Sequence, residues 1–153
     1  MRNEEEKAQI EIKVFSDFIC AANIDVDPNS IRKGNATAGE PDIYCEIKGS
    51  PVYFELTEAC APDFAATITK SLKAVEPKAT WGCDVSVQTV QKKLGKTYNV
   101  STPIELLLYT AGRTVLPDDV IAAQVEPILA NGLGSFRRVW LFGDHVKCMA
   151  CNS

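Results

Sequence analysis

Apolar positions at helical spacing, Ile10, Val14, Phe15, Phe18, Ile19 and Ala22, run through the first twenty-odd residues and predict one amphipathic helix over Glu4 to Ala22. Its acids cluster in the first turn, where the helix macrodipole favours them. From Asn23 to Pro41 the pattern dissolves into Gly, Pro, Asn, Asp and Ser, the composition of a long irregular connection. At Asp42 the period changes to two. Ile43, Cys45 and Ile47 alternate with polar neighbours, Gly49-Ser50-Pro51 turns the chain, and Val52, Phe54 and Leu56 alternate again, so a β-hairpin with one apolar face is expected. With the turn centred on Gly49-Ser50, Asp42 would lie opposite Thr57 and Tyr44 opposite Glu55, on the polar face.

Beyond Pro62, Asp63 to Val75 reads as a helix that stops before Pro77, and a second helix follows with Ser86 as its N-cap and Val87, Val90 and Leu94 as its apolar stripe. Ile104 to Tyr109 is a nearly continuous apolar run, the mark of a strand buried on both faces. Pro117-Asp118 opens a helix to about Leu129, which Gly132 and Gly134 end. Phe136 to Phe142 and Val146 to Ala150 close the chain as two strands around Gly143-Asp144. The order of elements predicts an α/β fold, a mixed central β-sheet flanked by helices, as a single domain over residues 1–153 with its irregular connection at 23–41.

A chain of 153 residues can bury an ordinary core, so six cysteines are not needed as staples. Cys20, Cys45, Cys60 and Cys83 are widely spaced and mostly lie in apolar segments, as reduced thiols do. No apolar run approaches the roughly 18–20 residues of a membrane span, and the acidic start, Arg2-Asn3-Glu4-Glu5-Glu6, is unlike a signal peptide. A cytoplasmic protein without a membrane partner is expected. The net charge of -4 excludes a protein that coats nucleic acid by bulk charge. It is unevenly spread: residues 1–58 carry 12 acids against 6 bases, whereas residues 59–100 carry 3 acids against 6 lysines.

The chemistry concentrates in Pro41-Asp42 and, thirteen residues on, Glu55-Leu56-Thr57. Two carboxylates side by side on adjacent strands suit Mg²⁺ or Mn²⁺, hard cations held by one or two carboxylates plus water. Half-exposed strands also alternate polar residues for no chemical reason, so spacing alone does not decide. The stretch Gly39-Glu40-Pro41-Asp42-Ile43 to Glu55-Leu56-Thr57 resembles the motif of the PD-(D/E)xK nuclease superfamily, and the order of elements resembles the α-β-β-β-α-β core of its restriction-endonuclease-like fold. The resemblance implies Asp42 and Glu55 as metal ligands with the Leu56 carbonyl nearby, an acid of the first helix (Glu11 or one of Glu4 to Glu6) lining the site, and hydrolysis of DNA or RNA.

Thr57 departs from it, standing where the family has a lysine that orients the attacking water. Lys70, Lys73, Lys92 and Lys93 are candidates to replace that lysine, and as a basic segment to meet the phosphate backbone. If none does, the same fold would serve as a catalytically inactive protein-interaction module, an immunity or accessory subunit. A second match to the motif, Glu46-Ile47-Lys48, places Asp42 and Glu46 on one strand about 13 Å apart at about 3.3 Å per residue, with Lys48 at the hairpin tip, too dispersed to share an ion. Cys148-Met149-Ala150-Cys151 with His145 supplies only part of a ligand set, which argues against zinc. His145, the only histidine, has no nucleophile elbow to serve and reads as a turn residue, and Gly132-Leu133-Gly134 reads as a helix terminator.

Overall fold

A computed structural model describes residues 4–59, 81–110 and 117–151, with residues 4 and 81–87 by their backbone only. In chain order the elements are α1 (Glu4–Ala22), β1 (Arg32–Lys33), β2 (Ile43–Ile47), β3 (Ser50–Glu58), α2 (Trp81–Leu94), β4 (Ile104–Tyr109), α3 (Asp118–Leu129), β5 (Phe136–Phe142) and β6 (Val146–Cys151). The six strands form one mixed sheet in sequential order, with β3, β4 and β5 parallel and the other neighbours antiparallel. The α/β architecture expected from the pattern is therefore the one observed.

Two cores lie on opposite faces of this sheet, as the strand period of two requires. On one face Phe15 and Phe18 of α1 pack on Phe54, Leu56, Leu107 and Tyr109. The Phe15 and Phe54 rings lie 4.9 Å apart, and Phe18 meets Trp140 edge-on at 5.3 Å. On the other face Val90 of α2 and Ile121, Ala122 and Val125 of α3 cover Tyr53, Leu106, Leu108 and Leu141. Strand β4 is buried at every position, which explains its unbroken apolar run and makes Glu105 an exception. Glu105, 1% exposed, accepts hydrogen bonds from Arg137, Arg138 and the Trp140 indole. A bulge between Ile104 and Glu105 inserts Arg137 opposite the carboxylate, so that both consecutive arginines reach it.

Three expectations need correction. The hairpin turns at Lys48-Gly49, both at positive φ (51° and 81°), not at Gly49-Ser50. That is the geometry of a type I′ two-residue loop, whose twist matches the strands. Ile47 then pairs with Ser50 and Ile43 with Phe54, so Asp42 comes level with Glu55 rather than Thr57, and Tyr44 with Tyr53 rather than Glu55. The shift is two residues, an even number, so every side chain keeps its face. Helix α2 begins at Trp81, which puts Ser86 inside it; Gly82 alone is too weak an interruption to stop a helix. The connection 23–41 is not wholly irregular, because it carries two single-turn 3₁₀ helices and β1 at the sheet edge. The helix expected over Asp63 to Val75, with Lys70 and Lys73, lies outside the described residues, as do Cys60 and the side chain of Cys83. Among the described residues no helix is long and apolar enough to cross a membrane.

Candidate metal and phosphate site

The Pro41-Asp42 corner is built by close approach of the chain to itself. Gly34, just past β1, donates its N–H to the Asp42 carbonyl at 2.8 Å, and a Cβ there would stand 1.7 Å from the Pro41 oxygen. No side chain fits, so the glycine lets the edge of the sheet clamp the residue before β2. Asp42 and Glu55 are then tied through each other's strand. The Leu56 N–H donates to Asp42 Oδ2 at 2.8 Å, and the Asp42 N–H donates to Glu55 Oε1 at 3.1 Å.

Glu55 is 2% exposed, and its other oxygen faces α2. Lys93, in the last turn of that helix, places Nζ 2.6 Å from Glu55 Oε2, and Lys96 reaches the same oxygen at 3.5 Å. The Tyr98 hydroxyl is also buried near this carboxylate. From α1, Glu11 enters at 4% exposure, paired with Lys33 of β1. Glu11, Asp42, Leu56, Thr57, Glu58 and Lys93 line a cleft of about 240 Å³. It opens where β3 ends, at the carboxyl edge of the parallel strands, the usual place for ligands in α/β sheets.

The electrostatics of the two acids diverge. Burial raises the Asp42 carboxyl, the charges of Glu55 and Glu11 raise it further, and the Leu56 N–H and Lys93 only partly oppose them, so its pKa stands at about 6. Burial also acts to raise Glu55, but Lys93 and Lys96 outweigh it and hold that carboxylate below its ordinary range. Glu11 has Lys33 and Glu55 has Lys93, whereas Asp42 forms no ion pair with another described residue. A partly buried carboxyl whose ionised form lacks a counter-charge is one that a cation would relieve. Asp42 Oδ1 is outside the Leu56 hydrogen bond, and the Glu55 carboxylate reaches the Asp42 backbone N–H, so two carboxylates, the donor type a hard divalent ion takes, lie close together. No group of three or more His, Cys, Asp or Glu side chains gathers as a ready-made metal cage among the described residues.

Of the residues singled out in the sequence, the structure brings together Asp42, Glu55, Thr57, Lys93 and Glu11. Lys92 is exposed on the neighbouring face of α2 and does not line the cleft. Glu46 bonds to Tyr44 and Ser30 while Lys48 sits in the turn, so the alternative motif does not assemble. Cys148 and Cys151 are exposed on β6 and not joined in a disulfide, and the backbone beside His145 is tied to Asp118. Lys33, Lys96 and Tyr98 were not picked out by motif. For Lys96 a signal existed, since Lys93 and Lys96 are three apart and so share a helical side; for Lys33 and Tyr98 none did. No protein-family model matches the chain, and no curated protein or solved structure matches it either.

Proposed function

We propose that the protein is a metal-dependent phosphodiester hydrolase acting on DNA or RNA, a PD-(D/E)xK-type nuclease whose lysine is supplied from α2. The observation that carries this reading is Lys93 Nζ at 2.6 Å from Glu55, in the same cleft as Asp42 and Thr57. A lysine side chain is a compact charge on a flexible stem, so it can serve the same point in space from a helix as from a strand. Asp42 and Glu55 would hold Mg²⁺ or Mn²⁺, which when bound neutralises phosphate charge and makes a water more acidic. Lys93, on Glu55 in the same cleft, would be placed to orient an attacking water and to stabilise the charge that develops on the phosphoryl oxygens. Thr57 contributes a hydroxyl to the wall of the cleft, and Glu11 closes it from α1.

Calorimetric titration of Mg²⁺ or Mn²⁺ into wild type and Asp42→Ala tests the metal, and incubation with plasmid and single-stranded DNA tests cleavage, with Glu55→Ala as control. Lys93→Met is expected to lower cleavage by about 100-fold or more, the usual loss for one charge-stabilising donor. Lys93→Met combined with Thr57→Lys should recover part of it by returning the lysine to the strand. Absence of metal binding by wild type removes the hydrolase reading. A second reading, an inactive interaction module, draws on one observation: both Glu55 oxygens are already engaged, by the Asp42 N–H and by two lysines. It predicts that neither metal nor nucleic acid changes the protein at all.

A further inference from the structure

The acid and lysine cleft does not stand alone. It shares Ile10 and Tyr109 with a second cleft of about 390 Å³, between α1 and the carboxyl ends of β4 and β5. It shares Lys7, Glu11 and Asp42 with a third, of about 400 Å³, on the side of β1. The three form a groove with unlike arms. The β1 arm is polar and of mixed charge, lined by Lys7 and Lys33 together with Glu11, Glu40 and Asp42, with Lys33 paired to Glu11. The other is mainly apolar, walled by Ile10, Val14, Tyr109 and Phe142, and the charged lining residues among those described, Lys13 and Asp17, pair with each other at 3.2 Å.

We infer that the apolar arm takes one unpaired nucleobase next to the phosphate at the acid and lysine site, so that the substrate is a single strand. The inference rests on the hydrolase reading for the identity of the central phosphate and extends it to the substrate class. The acid and lysine site and the apolar arm adjoin through Ile10 and Tyr109, as a phosphate and the base of one nucleotide adjoin in a strand. The apolar arm has the size of a small-ligand pocket. A base can enter such a pocket only when it is out of a duplex stack. Aromatic and aliphatic walls then hold it by its faces, with little regard to which base it is.

Val14 sets up the test, because it lines the apolar arm and not the central cleft. Fluorescence anisotropy with labelled oligonucleotides, in Ca²⁺, compares a single strand, the same strand carrying one abasic residue at the position that is cut in Mg²⁺ (or at each position in turn where none is), and the duplex. Wild type should bind the intact single strand about tenfold more tightly than the abasic strand or the duplex. Val14→Trp, which fills the arm, should bind all three alike at the weaker level. Val14→Ala, with an unchanged helical circular dichroism signal, should keep the preference, which separates blockage from damage to α1. Equal binding of duplex and single strand by wild type, indifference to the missing base, full affinity in Val14→Trp, or no binding of any oligonucleotide overturns the inference. Cleavage in Mg²⁺ is scored separately. Binding with the stated preference but no hydrolysis keeps the pocket and removes the enzyme, whereas hydrolysis of duplex unaffected by Val14→Trp keeps the enzyme and removes the pocket.

Discussion

Replacing Asp42 by Asn should make the metal-free protein more stable at neutral pH, although it removes a proposed metal ligand. The Asp42 carboxyl is raised from 3.8 to about 6, first by burial and then by Glu55 and Glu11. At about 1.4 kcal/mol per pKa unit, the ionised group costs the fold at most about 3 kcal/mol above pH 6. Solvent reaching Asp42 through the cleft screens part of this, which leaves about 1–2 kcal/mol. Asparagine keeps an oxygen to accept the Leu56 N–H and brings no charge. Because the folded-state pKa exceeds the unfolded value, the contribution of Asp42 is most favourable below about pH 4, declines as pH rises towards 6, and stays at its low level above. Glu55, held low by its lysines, behaves in the opposite sense, and it is favoured further once the Asp42 charge beside it is removed, which adds to the advantage of asparagine at pH 7.5. Thermal melts of wild type and Asp42→Asn should therefore differ by about 3–6 °C at pH 7.5, at the roughly 2–4 °C per kcal/mol of a domain this size, and converge near pH 4. Mg²⁺ should narrow the gap at pH 7.5 by stabilising wild type alone. An Asn variant no more stable than wild type at pH 7.5, or one whose advantage persists unchanged at pH 4, would refute the account of a carboxylate in want of a cation.

Glu105→Ala should destabilise the fold by about 1–3 kcal/mol in a urea titration, because it leaves the Trp140 N–H without its acceptor and vacates a buried site, while Arg137 and Arg138, each more than a third exposed, turn to water. Among the described cysteines, Cys45 should resist a thiol reagent in the native protein while Cys20, Cys148 and Cys151 react, as peptide mass spectrometry can read. Burial, reinforced by Glu105 and Glu46, pushes the Cys45 thiol up to about 12, whereas the other three are exposed.

Helix α1, the hairpin strands, β4, α3 and the closing pair β5 and β6 were legible because each buries a face whose period is local. That Asp42 and Glu55 share a face was legible for the same reason, since face parity follows from alternation. Register was not. It depends on which two residues take positive φ, and Lys48 does so without the Asn or Asp that usually announces a type I′ turn. Nor could the sequence choose Lys93 over Lys92, because the two point about 100° apart on one helix and only the seating of α2 on the sheet, through Val90 and its neighbours, decides which faces Glu55. Glu105 was absorbed into an apolar run because its partners lie more than thirty residues away and meet it through a bulge.

The charges that made the first part of the chain acidic meet, in space, cations from three elements. Glu11 takes Lys33 of β1, and Glu55 takes Lys93 of α2 with Lys96 just beyond that helix. Asp42 is left over among the described residues, and its partial burial works against its ionised form. A scaffold that used this corner only for shape would be served better by asparagine, which makes the same bond to the Leu56 N–H. The local rule against burying a charge without a partner is broken at one point, and that point opens into a cleft beside a second carboxylate and a lysine. Violations of this kind are expected where a ligand completes the site, and a divalent cation is the smallest ligand that would do so.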